Sequence, residues 1–390
     1  MHFLTYFLEY NRFHNFFGIA VVIGLAVLMS NNWRKISWRL VFTGLMLHVA
    51  IALLVLKTVI GHEVIKFIAG LFTQLYMSAD GAIRFVFGNL ADPSGPWGFI
   101  FAIKVLPVII FFGAFTALLF YFGVIQYVVQ SINKVIRPLL GTTGPETLCA
   151  VANSFLGQTE APLLIKHYLK SMTKSEFLVM MISGMGTISG SILAVFVAMG
   201  VPAVHLLAAS VMAIPATIII AKIIYPEEEE PQAMCDATTK IDVPAGNVLD
   251  AISQGTTDGL WLAINVGAML ISFLALLGAL NGIIGFCCAT LNTTFGLALP
   301  IISLNTIFSC VCFPFGWLLG FTGIEAFNVG QLIGTKIAVN ELLAYGEMLK
   351  MELAPRTSAI ITYALCGFSN FSCIGIQIGG IGALVPEKRA

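Results

Sequence analysis

An all-α fold that crosses a membrane many times is what this sequence predicts, and three observations carry it. The 390 residues are 58% hydrophobic and only 10% charged, whereas soluble domains carry about 25% charged residues. The mean hydropathy is strongly positive. No Asp, Glu, Lys or Arg occurs between Glu176 and Lys222, between Asp258 and Glu325, or between Arg356 and Glu387. A helix needs about 20 apolar residues to cross the hydrocarbon, so those stretches alone hold several crossings. The net charge is zero, so the expected partner is the lipid bilayer and not nucleic acid. Glu9 and Arg12 precede the first apolar run and no small-residue cleavage pattern closes it, so no signal peptide is expected.

The elements follow in order. The first crossing is expected over Phe16 to Leu28 and the second over Leu40 to Leu56. Between them stand Arg34, Lys35 and Arg39; by the positive-inside rule that loop is cytoplasmic and the N-terminus outside. His62 to Leu90 carries Glu63, Lys66, Asp80 and Arg84 among its apolar residues and reads as an interfacial amphipathic helix. A third crossing runs from Trp97 to Val128 and ends before Lys134 and Arg137, again inside. Glu146 to Leu156 and Ala161 to Leu169 are two apolar arms flanking "GQTE". Each is too short to span, and Lys166, His167, Lys170 and Lys174 return the second to the side of the first, which predicts a re-entrant hairpin. Crossings follow over Phe177 to Met199 and Ala203 to Ile224, then an acidic connection, then a crossing over Gly259 to Ile284. Thr294 to Phe321 is interrupted by Pro300 and Pro314 and reads either as one kinked crossing or as a second hairpin. Helices over Val329 to Met348 and Ser358 to Leu384 complete the chain. Hairpin, crossing, crossing thus recurs in the second half, a pattern that points to a transporter with inverted repeats.

Four polar islands interrupt the apolar runs. Glu160 is an acid at membrane depth, where insertion costs about 2.5–3.5 kcal/mol. It lies beside Gln158 and Thr159, with Gly157 for the turn and Pro162 for the first turn of the second arm. It either caps that arm or binds a ligand. Asn340 and Glu341 interrupt a second apolar run, with Lys336 close by, so Glu341 is either half of a salt bridge or a ligand group. Asn370 and Cys373 are placed on one helix face, with Phe368 as a nearby aromatic wall. Thr187, Ser189 and Ser191 form the fourth island, with bonding to their own backbone as the alternative. The eight cysteines form no CxxC pair and read as packing thiols. No histidine follows His205, so a nucleophile–base pair or metal cluster near Glu341 or Asn370 is not expected and the chain is read as no enzyme.

At "GQTEAP" (157–162), "DGLWLAINVGAML" (258–270), "VGQLIGTKIAVNELLAY" (329–345) and "ALCGFSNFSCIGIQIGG" (364–380) the sequence resembles the concentrative nucleoside transporter family, in a bacterial member. Gly334, Lys336, Asn340, Glu341 and Tyr345 fit the family's signature, with Leu342 in place of its usual Phe and Cys373 in place of a Ser. The resemblance implies about eight transmembrane helices plus two opposed re-entrant hairpins, a scaffold and a mobile transport domain, and a homotrimer in the plasma (bacterial inner) membrane, with both termini outside. On this reading 1–140 holds the N-terminal crossings and interfacial helix, mostly scaffold. The first hairpin and two crossings fill 141–228, an acidic connection 229–258, a mostly scaffold crossing 259–285, and the second hairpin with the last two crossings 286–390. By resemblance Gln158, Thr159 and Glu160 face a nucleobase, Glu341 and Asn370 hold the ribose, Cys373 adds a weaker contact, and Phe368 and Leu262 flank the base. The implied sodium ligands are the side chains of Asn153 and Thr187 and the carbonyls of Leu156 and Ile188. The implied function is sodium-driven import of a nucleoside such as uridine, cytidine or adenosine, with proton coupling as the alternative and no organic cofactor.

Overall fold

Backbone polar groups that enter hydrocarbon must be bonded internally, which favours helices, and the described secondary structure is helical. The structure, a computed structural model, describes residues 12–231, 245–295 and 302–388; Cys235 and Pro300 lie outside these. Helix α1 is Arg12–Leu28. Helix α2, Trp38–Lys57, starts at Ser37, whose hydroxyl accepts from the Leu40 amide. Helix α3, Val59–Phe87, covers most of the stretch from His62 to Leu90. It exposes Val59, Ile60, Phe67 and Phe85 and pairs Asp80 with Arg84 at 2.9 Å and with Lys104.

Helix α4, Phe101–Tyr121, is shorter than the crossing expected to reach Val128. Gly123, at φ 75°, breaks the chain in the left-handed region. Beyond it Gln126, Gln130, Asn133, Lys134 and Arg137 recur among Val and Ile, so Val124–Leu140 forms a separate amphipathic helix, α5.

The first hairpin follows. Its entry arm, α6 (Gly144–Asn153), is buried along its whole length. Glu146 closes the start by accepting from the Thr143 amide at 2.7 Å. The return arm differs from expectation: only Ala161–Leu164 is α-helical (α7). Pro162 supplies no amide donor, and the amides of Ile165, Lys166 and Tyr168 bond back to Pro162, Leu163 and Ile165 in tight turns.

The expected crossing over Phe177 to Met199 is cut. Helix α8, Lys174–Gly186, and helix α9, Gly190–Met199, flank an extended stretch at Thr187–Ser189. The Ser189 hydroxyl begins α9 by accepting from the Ile192 amide. Helix α10 is Ala203–Ile224, as expected. Helix α11, Val248–Phe295, runs 48 residues, well beyond Gly259 to Ile284, because the polar segment before Gly259 is helical too.

Helices α12 (Leu304–Leu318) and α13 (Gly323–Ala338) meet at a 112° bend. The bend lies at 319–322, with Pro314 inside α12, and is that of a broken span or of a re-entrant hairpin. The helix expected over Val329 to Met348 is cut after Ala338. Asn340 is extended (φ −168°, ψ 167°) and starts α14, Glu341–Met348, by accepting from the Leu343 amide at 2.8 Å. The last expected helix is likewise two: α15, Pro355–Leu365, and α16, Phe371–Leu384. Among the described residues five helices are long and apolar enough to cross a membrane, six if the bent pair counts as one span. Arg12–Leu28 and Phe371–Leu384 add shorter apolar segments.

The chain forms two compact units, Met1–Leu25 with Asn265–Leu365, and Ala26–Ile264 with Cys366–Ala390. In the second unit the core lies around α6, where Leu148, Cys149, Ala150, Val151 and Ala152 are all at most 1% exposed. There α4 and α11 touch backbone to backbone: a Cβ on Gly113 would lie 2.7 Å from the Gly255 carbonyl. In the other unit α12 packs along α13, and a Cβ on Gly316 would lie 2.4 Å from the Ala326 carbonyl.

Candidate substrate and ion site

The cut in α8–α9 sits against the end of α6. Asn153, 1% exposed, donates from Nδ2 to the Ser183 hydroxyl at 2.9 Å. Its Oδ1 is buried without a donor. The Thr187 hydroxyl lies 2.8 Å from both the Asn153 and the Ser183 carbonyls. It can donate to only one, and its lone pairs stay available. Leu156 and Ile188 are buried, at 3% and 1% exposure. The Gly190 amide donates to the Phe155 carbonyl at 3.0 Å and stitches the hairpin to the start of α9. Of the four residues expected around an ion, Asn153 and Thr187 are thus brought into contact where backbone is irregular. Their donor set is neutral oxygen, and the orphaned Asn153 oxygen lacks what a small hard cation supplies.

The hairpin tip carries the polar triplet. Gln158 is 8% exposed, and its Oε1 is enclosed without a donor. Thr159 and Glu160 are exposed. Glu160 occupies the position before α7, yet its carboxylate caps nothing there. It turns back and accepts from the Gly157 amide at 3.2 Å, which tightens the tip and leaves the carboxylate its other acceptor positions.

At the second cut of this unit, Asn370 does not share a helix face with Cys373. It stands before α16, where its Oδ1 accepts from the Cys373 amide at 2.9 Å and from the Ser372 hydroxyl at 2.7 Å. The two cuts face each other: the Phe368 amide donates to the Thr187 carbonyl at 3.3 Å, and the Ser369 hydroxyl to the Met185 carbonyl at 2.9 Å. Leu262 stands exposed on α11.

Glu341 belongs to the other unit. It opens α14 at 7% exposure and is not inside a helix as expected. Lys336 donates to the Ala364 carbonyl at 3.0 Å, and the buried Tyr345 hydroxyl to the Thr362 carbonyl at 2.8 Å.

Two residues had no part in the sequence reading. Ser183 is fully buried and partners Asn153; the available signal was its place one helical turn before Thr187. Gln377 is fully buried on α16, an amide in an apolar run two turns beyond Asn370.

Apolar helices cut around buried amides, hydroxyls and carboxylates define the class of secondary membrane transporters, whose sites are built at broken helices. Three family models cover the chain. "Na+ dependent nucleoside transporter N-terminus" matches residues 17–90, "Nucleoside recognition" 102–203 and "Na+ dependent nucleoside transporter C-terminus" 205–390. The chain is similar to the nucleoside permease NupC of Helicobacter pylori, 36% identical over 95% of this chain and 90% of that one. It is 35% identical to sodium/nucleoside cotransporter 1 of Sus scrofa over 96% of this chain and 59% of that one. Among solved structures, CNTnw in an inward-facing substrate-bound state matches with a TM-score of 0.89 at 35% identity, over 97% of this chain and 92% of that one. A CNTnw variant in an outward-facing state matches with a TM-score of 0.90. This chain belongs to the Na+-dependent nucleoside transporter family. It is an integral membrane transporter and not an enzyme.

Proposed function

We propose that the protein is a symporter that imports nucleosides across the cytoplasmic membrane, driven by a sodium gradient, by alternating access. The observation that carries the sodium reading is the orphaned Asn153 Oδ1 beside the Thr187 hydroxyl at the cut in α8–α9. A buried acceptor left unpaired costs about 1–3 kcal/mol, and a bound cation removes that cost. The relative from Sus scrofa, named a sodium/nucleoside cotransporter, supports it. Gln158, Thr159 and Glu160 read the base, Asn370 and Glu341 hold the ribose, Cys373 adds a weaker contact, and Phe368 and Leu262 supply apolar walls. A nucleoside is neutral, flat and rich in donors and acceptors, so amides, carboxylates and an apolar wall suit it without a cationic clamp. The Leu156 and Ile188 carbonyls complete the ion's oxygen ligands.

The drive is sufficient. One charge falling through 100 mV releases about 2.3 kcal/mol, and a tenfold sodium gradient adds about 1.4 kcal/mol. Together they sustain a gradient of roughly several hundredfold for a neutral solute. The reading includes a homotrimer with both termini outside, the latter from the basic loops around Lys35 and Arg137.

Uptake of radiolabelled uridine into proteoliposomes tests it, with the sodium gradient and the pH gradient imposed separately. Uptake should follow the sodium gradient at fixed pH. Uptake that ignores sodium and follows pH would overturn the coupling in favour of protons, and no saturable uptake would overturn the substrate.

A further inference from the structure

Two basic segments that are far apart in the chain meet in one cavity. The turn between α1 and α2 brings Lys35 and Arg39, and the end of α5 brings Arg137, to a space of about 430 Å³. That volume lies within the roughly 300–1,000 Å³ of small-ligand clefts. The other charged groups lining it are Lys222, Glu146 and Glu227. Lys222 is already engaged, at 2.8 Å from Glu146 and 2.9 Å from Glu227. Four cations thus face two carboxylates. Lys35 and Arg39 are exposed, and among the described residues neither makes an ion pair. The turn that carries Lys35 is fixed in place. The Ser30 hydroxyl donates to the Ile223 carbonyl at 2.6 Å, the Asn31 amide to the Ile224 carbonyl at 2.8 Å, and the Asn32 Nδ2 to Glu228 at 2.7 Å. Arg39 lies in the first turn of α2, which holds no acid. Its charge therefore adds to the positive end of the helix dipole, and an anion there offsets both.

The surface beside the cavity is apolar. On α2 Trp38, Phe42, Met46, Val49 and Leu53 are exposed, and their spacing sets them in one stripe. On α5 Leu139, which lines the cavity, and Val135 one turn before it are exposed as well. An indole at the head of an apolar stripe, next to a cation, suits the boundary between headgroups and hydrocarbon. A free phosphate would use the cations alone, whereas a phospholipid uses the cations and the stripe. We propose that this cavity binds the headgroup of an anionic phospholipid, its phosphodiester on Arg39 and Lys35 and an acyl chain along Trp38, Phe42 and Met46. The positive-inside rule puts both basic segments on the cytoplasmic side, where basic pockets between membrane helices take anionic headgroups. Arginine suits a phosphate because it can give two parallel N–H bonds. The proposal stands apart from the nucleoside and sodium readings and shares no residue with them.

Native mass spectrometry of the detergent-purified protein, titrated with phosphatidylglycerol or with phosphatidylcholine, tests this. Wild type should bind phosphatidylglycerol the more tightly. A basic residue at a headgroup corresponds to about fivefold in affinity. Lys35→Gln should therefore raise the phosphatidylglycerol Kd about fivefold, and Lys35→Gln with Arg39→Gln about 25-fold, with the phosphatidylcholine Kd unchanged. Lys166→Gln with Lys174→Gln removes two exposed cations outside the cavity and should leave both values as they are. An unchanged phosphatidylglycerol Kd in the first pair would overturn the site. Equal losses in the two pairs would also overturn it, since they report diffuse surface charge. Inorganic phosphate in large excess should not displace the lipid. Displacement by phosphate, with no preference for phosphatidylglycerol over phosphatidylcholine, would overturn the lipid in favour of a free anion.

Discussion

Replacing Asn153 by Ala separates an ion ligand from a packing residue, because only the first role makes the sodium-dependent stability vanish. Without a bound cation the wild-type Oδ1 is a buried acceptor with no donor, a cost of about 1–3 kcal/mol. Asn153→Ala removes that cost. It also removes the 2.9 Å bond from Nδ2 to Ser183, worth about 1 kcal/mol, and leaves a small void. Ser183 still donates to the Met180 carbonyl at 3.0 Å. These changes oppose one another, so in choline salt the variant should lie within about 1 kcal/mol of wild type. Sodium at 100 times its Kd stabilises the wild type by about 2.7 kcal/mol through mass action. The variant should lose most of that increment, and its uridine affinity in sodium should fall with it. The assay is thermal unfolding of the purified protein in sodium and in choline chloride, alongside uridine calorimetry. An unchanged sodium increment in Asn153→Ala would refute the assignment and return Asn153 to packing.

Three other outcomes follow from the same structure. Glu341→Gln should weaken nucleoside binding at least about tenfold, since a charge-assisted hydrogen bond to a ribose hydroxyl becomes a neutral one; calorimetry that finds unchanged affinity removes Glu341 from the site. Lys222 Nζ lies 2.8 Å from the Glu146 carboxylate, itself 1% exposed, and 2.9 Å from Glu227. Lys222→Met should therefore cost about 3–5 kcal/mol by stranding a buried charge, while adding Glu146→Gln should recover much of it, as read by unfolding midpoints. Burial raises the Asp80 carboxyl, but hydrogen bonds and charge from Lys104 and Arg84 outweigh it and hold the group below the usual aspartate range. That contribution is full above the unfolded pKa and is lost as pH falls through the lower folded value. The stability gap between wild type and Asp80→Asn should thus be constant near neutrality and close only under acid conditions; a gap that opens toward acid would contradict the pairing.

Much of the fold is legible because hydropathy and length are nearly sufficient for spans. Trp38–Lys57 and Ala203–Ile224 appear within two residues of their expected bounds. The helix cuts were not legible, since Thr187, Asn340 and Asn370 look like polar residues inside a helix. Whether such a residue bonds its own turn or starts a new one is decided by partners far along the chain, such as the Phe368 amide on the Thr187 carbonyl. The same limit hid Ser183 and Gln377, which matter only through the neighbours the fold brings to them. By contrast "GQTEAP" marked the hairpin tip, because Gly, Pro and a carboxylate cannot sit together in a lipid-facing helix.

The bonds across the two facing cuts also tie the middle of the chain to its end. The Met181, Met185 and Thr187 carbonyls accept from Gln377, Ser369 and Phe368, all in the last stretch of the chain. Those carbonyls precede their partners by about 180 to 200 residues in the chain. Alone, an 11-residue α15 and a 14-residue α16 are short of a bilayer's width. The seam at Thr187 therefore joins distant parts of the chain: one truncated at Leu365 would lack the groups that bond these carbonyls.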